Sequence, residues 1–539
     1  MNDTPTSFSE RSLNSNHATA KTLLMKTPML LLATCCMVSC KTGPNYERPS
    51  LELPDGYKSA TEMESGQPGL TLDWWRLFND PDLNALCEEA LETNYDLQAA
   101  MARLTQARAS AASVKSGFYP VISANPSATR SGSPMQTVST ESSDLEELSS
   151  TLGQVSSVLG AVNALAQGET PNLGGIQTGT TAGTASSTTG NRFQIPFDLS
   201  YEIDLWGRVQ RSYESAQAQV QASAYELEVV RQTLLADVAR NYFTLRALDA
   251  QLDILNRNLD LYREQAALTR KQYEVGLVNE TNALQAEIQL EATRAQATDI
   301  QRQRTDLEHA IAILLGKAPA EFALEARSLD TNPPVLPVGL PADLLRQRPD
   351  IAVAEQNLKA ACAEIGVAQA EFFPSVKLMG NAGLQSAKLE DLLDWKSKTW
   401  SFGPSISLPI FQGGQLKANL QKAQARYEEL LAAYRNSVLG AFRDVEDSLT
   451  DIHGRTDEAG ARAKAAAAAR EYLRLVQIQY DTGIIDYLNV INAEQTLLNN
   501  ELSEVQALNE RRIATVLLIK ALGGGWDCQI PSDPAARRR

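Results

Sequence analysis

The chain has 539 residues, with 49 Lys and Arg against 65 Asp and Glu, a formal net charge of −16, and 3 His. So acidic a chain repels nucleic-acid phosphates, and no block of basic residues with interleaved aromatics offsets that repulsion. At 43% hydrophobic and 21% charged residues it is composed to fold, in more than one structural unit. With His17 near the start, His309 and His453 are too few for a histidine metal site or a Ser/His triad. No GxSxG or HExxH pattern occurs, and Gly523 to Gly525 lack the Lys-Ser/Thr of a phosphate loop. The expectation is therefore no enzyme, no cofactor, no metal site and no nucleic-acid partner.

In chain order, the first signal is the apolar run from Met29 to Cys40, preceded by Lys26. It is shorter than the roughly 20 residues of a membrane-spanning helix and reads as a cleaved signal over residues 1–39. The stretch before Met25 is polar and unlike a charged leader, which points to Met25 as the true start. Met37-Val38-Ser39-Cys40 resembles a bacterial lipobox, in which the Cys is acylated and becomes the mature N-terminus. Multiple acyl chains on Cys40, at about 0.8 kcal/mol per buried methylene, would hold residues 40–78 to a membrane, and Lys41 in place of Asp favours the outer one. Cys87, Cys362 and Cys528 then remain, an odd set without metal or redox spacing, expected as single buried thiols.

Self-comparison shows a duplication. Gln272-Tyr273-Glu274-Val275-Gly276-Leu277-Val278 recurs as Gln479-Tyr480-Asp481-Thr482-Gly483-Ile484-Ile485, an offset of 207 that also carries Ala286-Glu287 onto Ala493-Glu494 and Leu315-Gly316 onto Leu522-Gly523. Phe118-Tyr119-Pro120 matches Phe372-Phe373-Pro374 at an offset of 254. The halves fall at 79–342 and 343–522, ahead of a tail at 523–539, and the difference in offset places an insertion in the first half. That insertion, 131–192, is rich in Ser, Thr and Gly, yet Leu145, Leu148, Leu152, Val155, Leu159, Val162 and Ala166 recur with heptad spacing. They suit a helix that self-associates or one packed on its own loop.

From Phe193 to Leu205 the odd positions are apolar and the even ones polar, save Pro196. Val376 to Leu384 and Trp400 to Ile410 alternate likewise, and a partner begins at Val121. The expected strands are 120–131, 193–206, 374–386 and 399–411. Such strands fit a half-buried soluble sheet or a membrane barrel with a wet lumen. The lipobox and the lack of a spanning helix tilt the reading to a barrel, and four strands cannot close alone, since membrane barrels take about eight or more. Asp198, Glu202 and Asp204 are acidic lumen candidates, or simply a solvated polar face.

Residues 207 to 275 and 415 to 482 contain no Pro and are dense in Ala, Gln, Glu, Arg and Leu. Each predicts a helix of about 100 Å that reverses at Gly276 or Gly483, its returning arm ending near Leu315 or Leu522. The first half thus places its helices at 207–315 and the second at 415–522.

With lipobox, duplicated strand pair, helical hairpin and Gly turns together, the sequence resembles the TolC-type outer-membrane efflux channels, specifically their lipoprotein branch, from about Cys40 to Trp526. Local signatures are Gly43-Pro44-Asn45-Tyr46 with Arg48-Pro49, Trp74-Trp75, Arg348-Pro349-Asp350-Ile351 and Ala521-Leu522-Gly523-Gly524-Gly525-Trp526. Pro349 also suits the first turn of a helix running to Phe373, with Asp350 beside its positive end.

The resemblance implies a mostly α fold with a β-barrel: two repeats per chain, trimerising into a 12-stranded barrel continuous with a 12-helix periplasmic tunnel. It implies a passive exit duct for an inner-membrane pump, reached through a periplasmic adaptor docked on the tips Val275, Gly276, Leu277, Thr482, Gly483 and Ile484. A resistance-nodulation-division pump exporting drugs or metals is the expected partner, with a type I protein-secretion system as the alternative. By the same resemblance the periplasmic gate falls at Leu488 and Asn492, each forming a threefold ring. Relatives often carry Asp at the positions of Asn492 and Asn282; here Asp486 stands nearby as a substitute, and Asn282 also reads as a helix N-cap.

Overall fold

Two Pro-free stretches dictate the helical part. In the computed structural model, which describes residues 41–51, 56–59, 72–132, 189–327, 333–334 and 348–526, the chain divides into a helical unit and a strand unit. Cys40, the signal segment, the 145–166 heptads, Cys528 and most of the tail lie outside the described residues.

The helical unit opens with α1 (Pro81–Thr93) and α2 (Tyr95–Lys115). Asp80 caps α1 by accepting from the Asp82 and Leu83 amides, and the Asn94 side chain caps α2 through the Leu97 amide at 2.9 Å. Then come α3 (Arg208–Glu274), α4 (Glu280–Leu314), α5 (Pro349–Ala370), α6 (Gln415–Asp481) and α7 (Tyr487–Ala521). The long arms α3 and α6 have 67 residues each and the return arms α4 and α7 have 35 each. Every limit of the first hairpin maps onto the second by the one offset of 207. Ala at positions such as 218, 222, 239, 286, 297 and 493 is buried, which lets the backbones approach closely. Trp74, Trp75 and Phe78 anchor the main core against Phe243 of α3, Ile311 of α4 and Val516 of α7. Cys87 (0% exposed) and Cys362 (3%) are free thiols buried among these helices, and burial raises the pKa of both.

α5 starts at Pro349 but ends at Ala370, earlier than Phe373: the Phe372 and Phe373 amides close tighter turns onto Gln369 and Ala370 ahead of Pro374. The segment after residue 40 is laid across three helices. Lys41 pairs with Glu214, the Arg211 guanidinium donates to the carbonyls of Thr42 and Gly43 and to Asn45 Oδ1, and Tyr46 and Arg48 both reach Glu355 of α5. Tyr46 and Leu51 complete a core with Tyr434 of α6.

The strand unit holds β1 (Val121–Ala124), β2 (Ser127–Gly132), β3 (Thr189–Ile203), β4 (Ser375–Ser386) and β5 (Lys398–Ser407) in one antiparallel sheet. β1 and β2 both pair with β3, so the five strands fill four lanes in the order β1/β2, β3, β4, β5. The single strand expected over 120–131 is interrupted at Asn125-Pro126, where proline has no N–H for the ladder. β5 stops before Pro409 rather than at 411. β3 ends at Ile203 rather than 206, because Asp204 leaves the ladder and accepts from the Gln210 amide in the first turn of α3.

Register confirms two faces. Ile203, Tyr201, Leu199, Phe197 and Ile195 of β3 stand opposite Val376, Leu378, Gly380, Ala382 and Leu384 of β4. Added bulk at Gly380 would meet Leu199 and Phe402, which places all three on the apolar side. The other face carries Gln194 opposite Gln385, Asp198 opposite Asn381 and Glu202 opposite Lys377. The acidic stripe expected from Asp198, Glu202 and Asp204 is thus broken up: Asn381 donates to Asp198 at 2.5 Å, Lys377 faces Glu202, and Asp204 serves the helix.

Candidate functional site

The two hairpin tips are built by the same local rule. At the end of α3 the Leu277 amide donates to the Gln272 carbonyl at 2.8 Å and the Gly276 amide to Tyr273 at 2.9 Å. At the end of α6 the Ile484 amide reaches Gln479 and the Gly483 amide reaches Tyr480, both at 2.9 Å. Gly276 (φ 77°) and Gly483 (φ 73°) supply the left-handed residue that this helix ending requires. Val275, Leu277 and Ile484 are 70%, 74% and 73% exposed, so each tip presents bare aliphatic side chains. Thr482 Oγ1 donates back to the Ile478 carbonyl at 2.9 Å, and the Arg270 guanidinium lies 5.7 Å from the Tyr273 ring centre.

Beyond the second tip, Asp486 is the residue preceding α7, and Asn489 Nδ2 donates to its carboxylate at 2.5 Å. Leu488 and Asn492 are both exposed and one helical turn apart, while Val490 and Ala493 are buried against Val476. The exposed stripe continues through Thr496 and Asn499, so it is uncharged from Leu488 onward over these positions. Asn282 lies inside the first turn of α4; Asn279 occupies the cap position, and neither side chain makes a capping bond. Its N-cap reading is therefore corrected, because the turn that follows Gly276 ends earlier than the Asn pattern suggested.

Two polar contacts that sequence reasoning missed join the hairpins above the tips. Gln265 of α3 donates to Glu494 of α7 at 2.7 Å, and Gln495 of α7 donates to Gln289 of α4. Glu494 was visible in the repeat, paired with Glu287, but only packing reveals that burial raises its pKa. Tyr262 beside it is pushed up to about 12 by burial and by the Glu494 charge.

Farther along, the local signatures prove to be joints. Arg348 bonds Asp350, Asp444 of α6 and the Ala521 carbonyl of α7, tying three helices at one guanidinium. Gln232 donates to the Gly523 carbonyl at 2.6 Å, and Trp526 packs edge-on against Tyr225. Asp80 accepts from Tyr242 and Arg327. Among the described residues no cluster of His, Cys, Asp and Glu could hold a metal ion, and no helix is long and apolar enough to cross a membrane.

A four-lane sheet with an apolar face, joined in sequence to two long helical hairpins of matched length, is the build of an outer-membrane channel protein. The outer membrane efflux protein family profile matches residues 86–317 and 340–524, and the chain belongs to that family. It is 30% identical to outer membrane protein OprJ of Pseudomonas aeruginosa, over 92% of this chain and 95% of that one. It is 32% identical to the toluene efflux pump outer membrane protein TtgF of Pseudomonas putida (95% and 99% covered) and 28% identical to the cation efflux system protein CusC of Escherichia coli (93% and 99%). Among solved structures, the outer-membrane channel OprN superimposes with a TM-score of 0.76 at 29% identity, covering 90% of this chain and all of the other. The protein is thus an outer-membrane exit duct of an efflux system, a passive channel and not an enzyme, and the protein-secretion alternative is set aside.

Proposed function

We propose that three copies of this chain close one duct, anchored by acyl chains on Cys40, through which an inner-membrane pump expels small molecules, drugs or metals, by way of a periplasmic adaptor. The observation that carries this reading is the sheet. Its four lanes have an apolar face, and its outer lanes, β1/β2 and β5, have no second neighbour within the described residues. Membrane barrels of this kind take about eight or more strands, and three chains of four lanes supply a 12-stranded wall. The hairpins then supply a 12-helix tunnel by the same count. Names of relatives such as the toluene and cation efflux proteins support export of small molecules as the cargo class.

The exposed aliphatic tips, Val275, Gly276 and Leu277 with Thr482, Gly483 and Ile484, suit adaptor docking: they are two copies of one turn and carry bare apolar side chains. Leu488 and Asn492, aligned on the exposed side of α7, are the proposed constriction, with an uncharged amide ring in place of an anionic one. Asp486 contributes there by holding Asn489 at the helix start. Lys41, the residue that follows Cys40 in sequence, lies beside Gly207 at the start of α3.

The test is single-channel conductance of purified, acylated protein, with Leu488→Ser plus Asn492→Ala as the comparison. A heat-resistant trimer with small parental conductance, rising several-fold in the variant, is the expected result. A folded trimer silent in both forms would refute the gate assignment, and a monomer would refute the shared barrel.

A further inference from the structure

Where α7 packs on α3, a half-buried carboxyl sits between the two hairpins. Glu494 Oε1 accepts from Gln265 Nε2 at 2.7 Å, whereas Oε2 is buried and has no hydrogen-bond partner among the described residues. The Tyr487 hydroxyl of α7 in the same region is in that condition, while the Tyr262 hydroxyl of α3 faces Gln289 of α4. Tyr262 belongs to an apolar cluster with Leu255, Leu259, Ala297 and Leu498. The groups that face Glu494 are Tyr262 and Gln265 from α3 and Tyr487 from its own helix. Gln289 of α4 is engaged by Gln495, and Tyr480 of α6 reaches the region only through the Tyr487 ring, 5.5 Å away. No Lys, Arg or His of the described residues forms an ion pair with Glu494.

An ionised carboxylate in this seam has one donor in place, the Gln265 amide, no cation paired with it and its second oxygen bare. A protonated one carries no charge to desolvate, so its buried, bare oxygen costs less in the seam. Burial accordingly raises the Glu494 pKa, and the pKa values of Tyr262 and Tyr487 rise in part because of Glu494. Leu488 and Asn492 lie on the exposed side of the same helix, within two turns, so parting of this seam moves them.

We propose that Glu494 is a proton-operated latch between the two hairpins: its neutral carboxyl keeps α7 seated on α3, and ionisation releases α7 and widens the passage beyond the second tip. The sign follows from linkage. A carboxyl that binds its proton more tightly in the closed form favours closure at low pH, and closure weakens as pH rises through its pKa. A duct so equipped tightens when the medium bathing the outer membrane turns acidic. This proposal rests on the exit-duct reading, and its test reads the latch separately from conduction.

The experiment compares full-length, acylated parent with Glu494→Gln, which mimics the neutral acid in size and hydrogen bonding, and with Gln265→Leu, which removes the donor to the carboxylate. Amide hydrogen exchange over residues 258–270 and 487–498 and bilayer conductance are both followed from about pH 5 to about pH 8, each variant being compared with the parent at the same pH. With the intrinsic base-catalysed rise in amide exchange divided out, the parent is expected to lose protection, and its conductance to rise several-fold, toward the alkaline end. Glu494→Gln should stay at the acidic-end level throughout, and Gln265→Leu should move the parental midpoint to higher pH. Parallel profiles in parent and Glu494→Gln, or a parent without pH dependence in exchange, overturn the latch. Silence of all three folded proteins in the bilayer overturns the gate assignment at Leu488 and Asn492, while the exchange comparison still decides the latch.

Discussion

Gly43 lies against Gly366 so closely that a methyl group on Gly43 would come within 2.5 Å of the Gly366 Cα. Gly43 also has φ 87°, and a methyl on Gly366 would press to 2.8 Å from the Arg211 Nε. Two glycines and one arginine therefore set how the segment following residue 40 meets α3 and α5. Gly43→Ala combines left-handed strain with a backbone collision and is expected to destabilise this joint by about 2–4 kcal/mol. Protease sensitivity of residues 41–51 and a lowered unfolding temperature would report it.

Gly276→Ala and Gly483→Ala make an informative contrast. Both glycines have positive φ, but nothing lies within 4 Å of an added methyl group at either. Only backbone strain remains, about 1–2 kcal/mol per site, confined to the turn. Unfolding temperature should be nearly unchanged, with faster amide exchange at 272–279 or 479–486.

Arg348→Met leaves Asp350, Asp444 and the Ala521 carbonyl without their shared donor. Because both aspartates are partly solvated, we expect a loss of about 1–3 kcal/mol, less than for a fully buried pair. Chemical denaturation should show it, and Arg348→Lys should restore only part, since a single ammonium cannot fork across three acceptors.

The thiols of Cys87 and Cys362 should resist maleimide in the native protein across about pH 7–9, since burial disfavours the reactive thiolate. In a background with Cys528→Ser, labelling is expected only in denaturant. Prompt native labelling of either would contradict the packing around it.

On the polar face of the sheet, Lys377→Gln leaves Glu202 without the opposing cation across the β3–β4 pair. Bilayer reversal potentials under a salt gradient should shift toward cation selectivity, whereas Glu202→Gln should shift the opposite way. Equal potentials in both variants would mean that this face does not line the conducting path.

Much of this architecture was legible because the signals were periodic and repeated. Strict alternation from Phe193 to Leu205 specified a two-faced strand, and the recurring Tyr-x-x-Gly turns marked both hairpin ends. The interruptions were set by single residues working against the period: Pro126 splits the first lane, and Asp204 deserts the ladder to serve a helix start. Asn282 misled because an Asn near a helix start suits a cap, but the turn after Gly276 ends three residues sooner. The cross-hairpin contacts of Gln265 with Glu494 and Gln289 with Gln495 were invisible, since residues about 200 positions apart carry no mutual periodicity. Arg211 was equally silent: a lone arginine in a charged helix gives no sign that it holds the segment at residues 42–45.

The shared 207-residue offset at all four ends of the hairpins means that the two arms were kept to the same length while their side chains drifted apart. They behave as a pair of gauges cut to one measure. Lengthening a single arm by a heptad would add about 10 Å to one side of the rim and leave the other short, so a partner resting on both would rock. Changes in reach are tolerable only in matched pairs, and chimeras that graft one hairpin from a longer relative should fail where those exchanging both succeed.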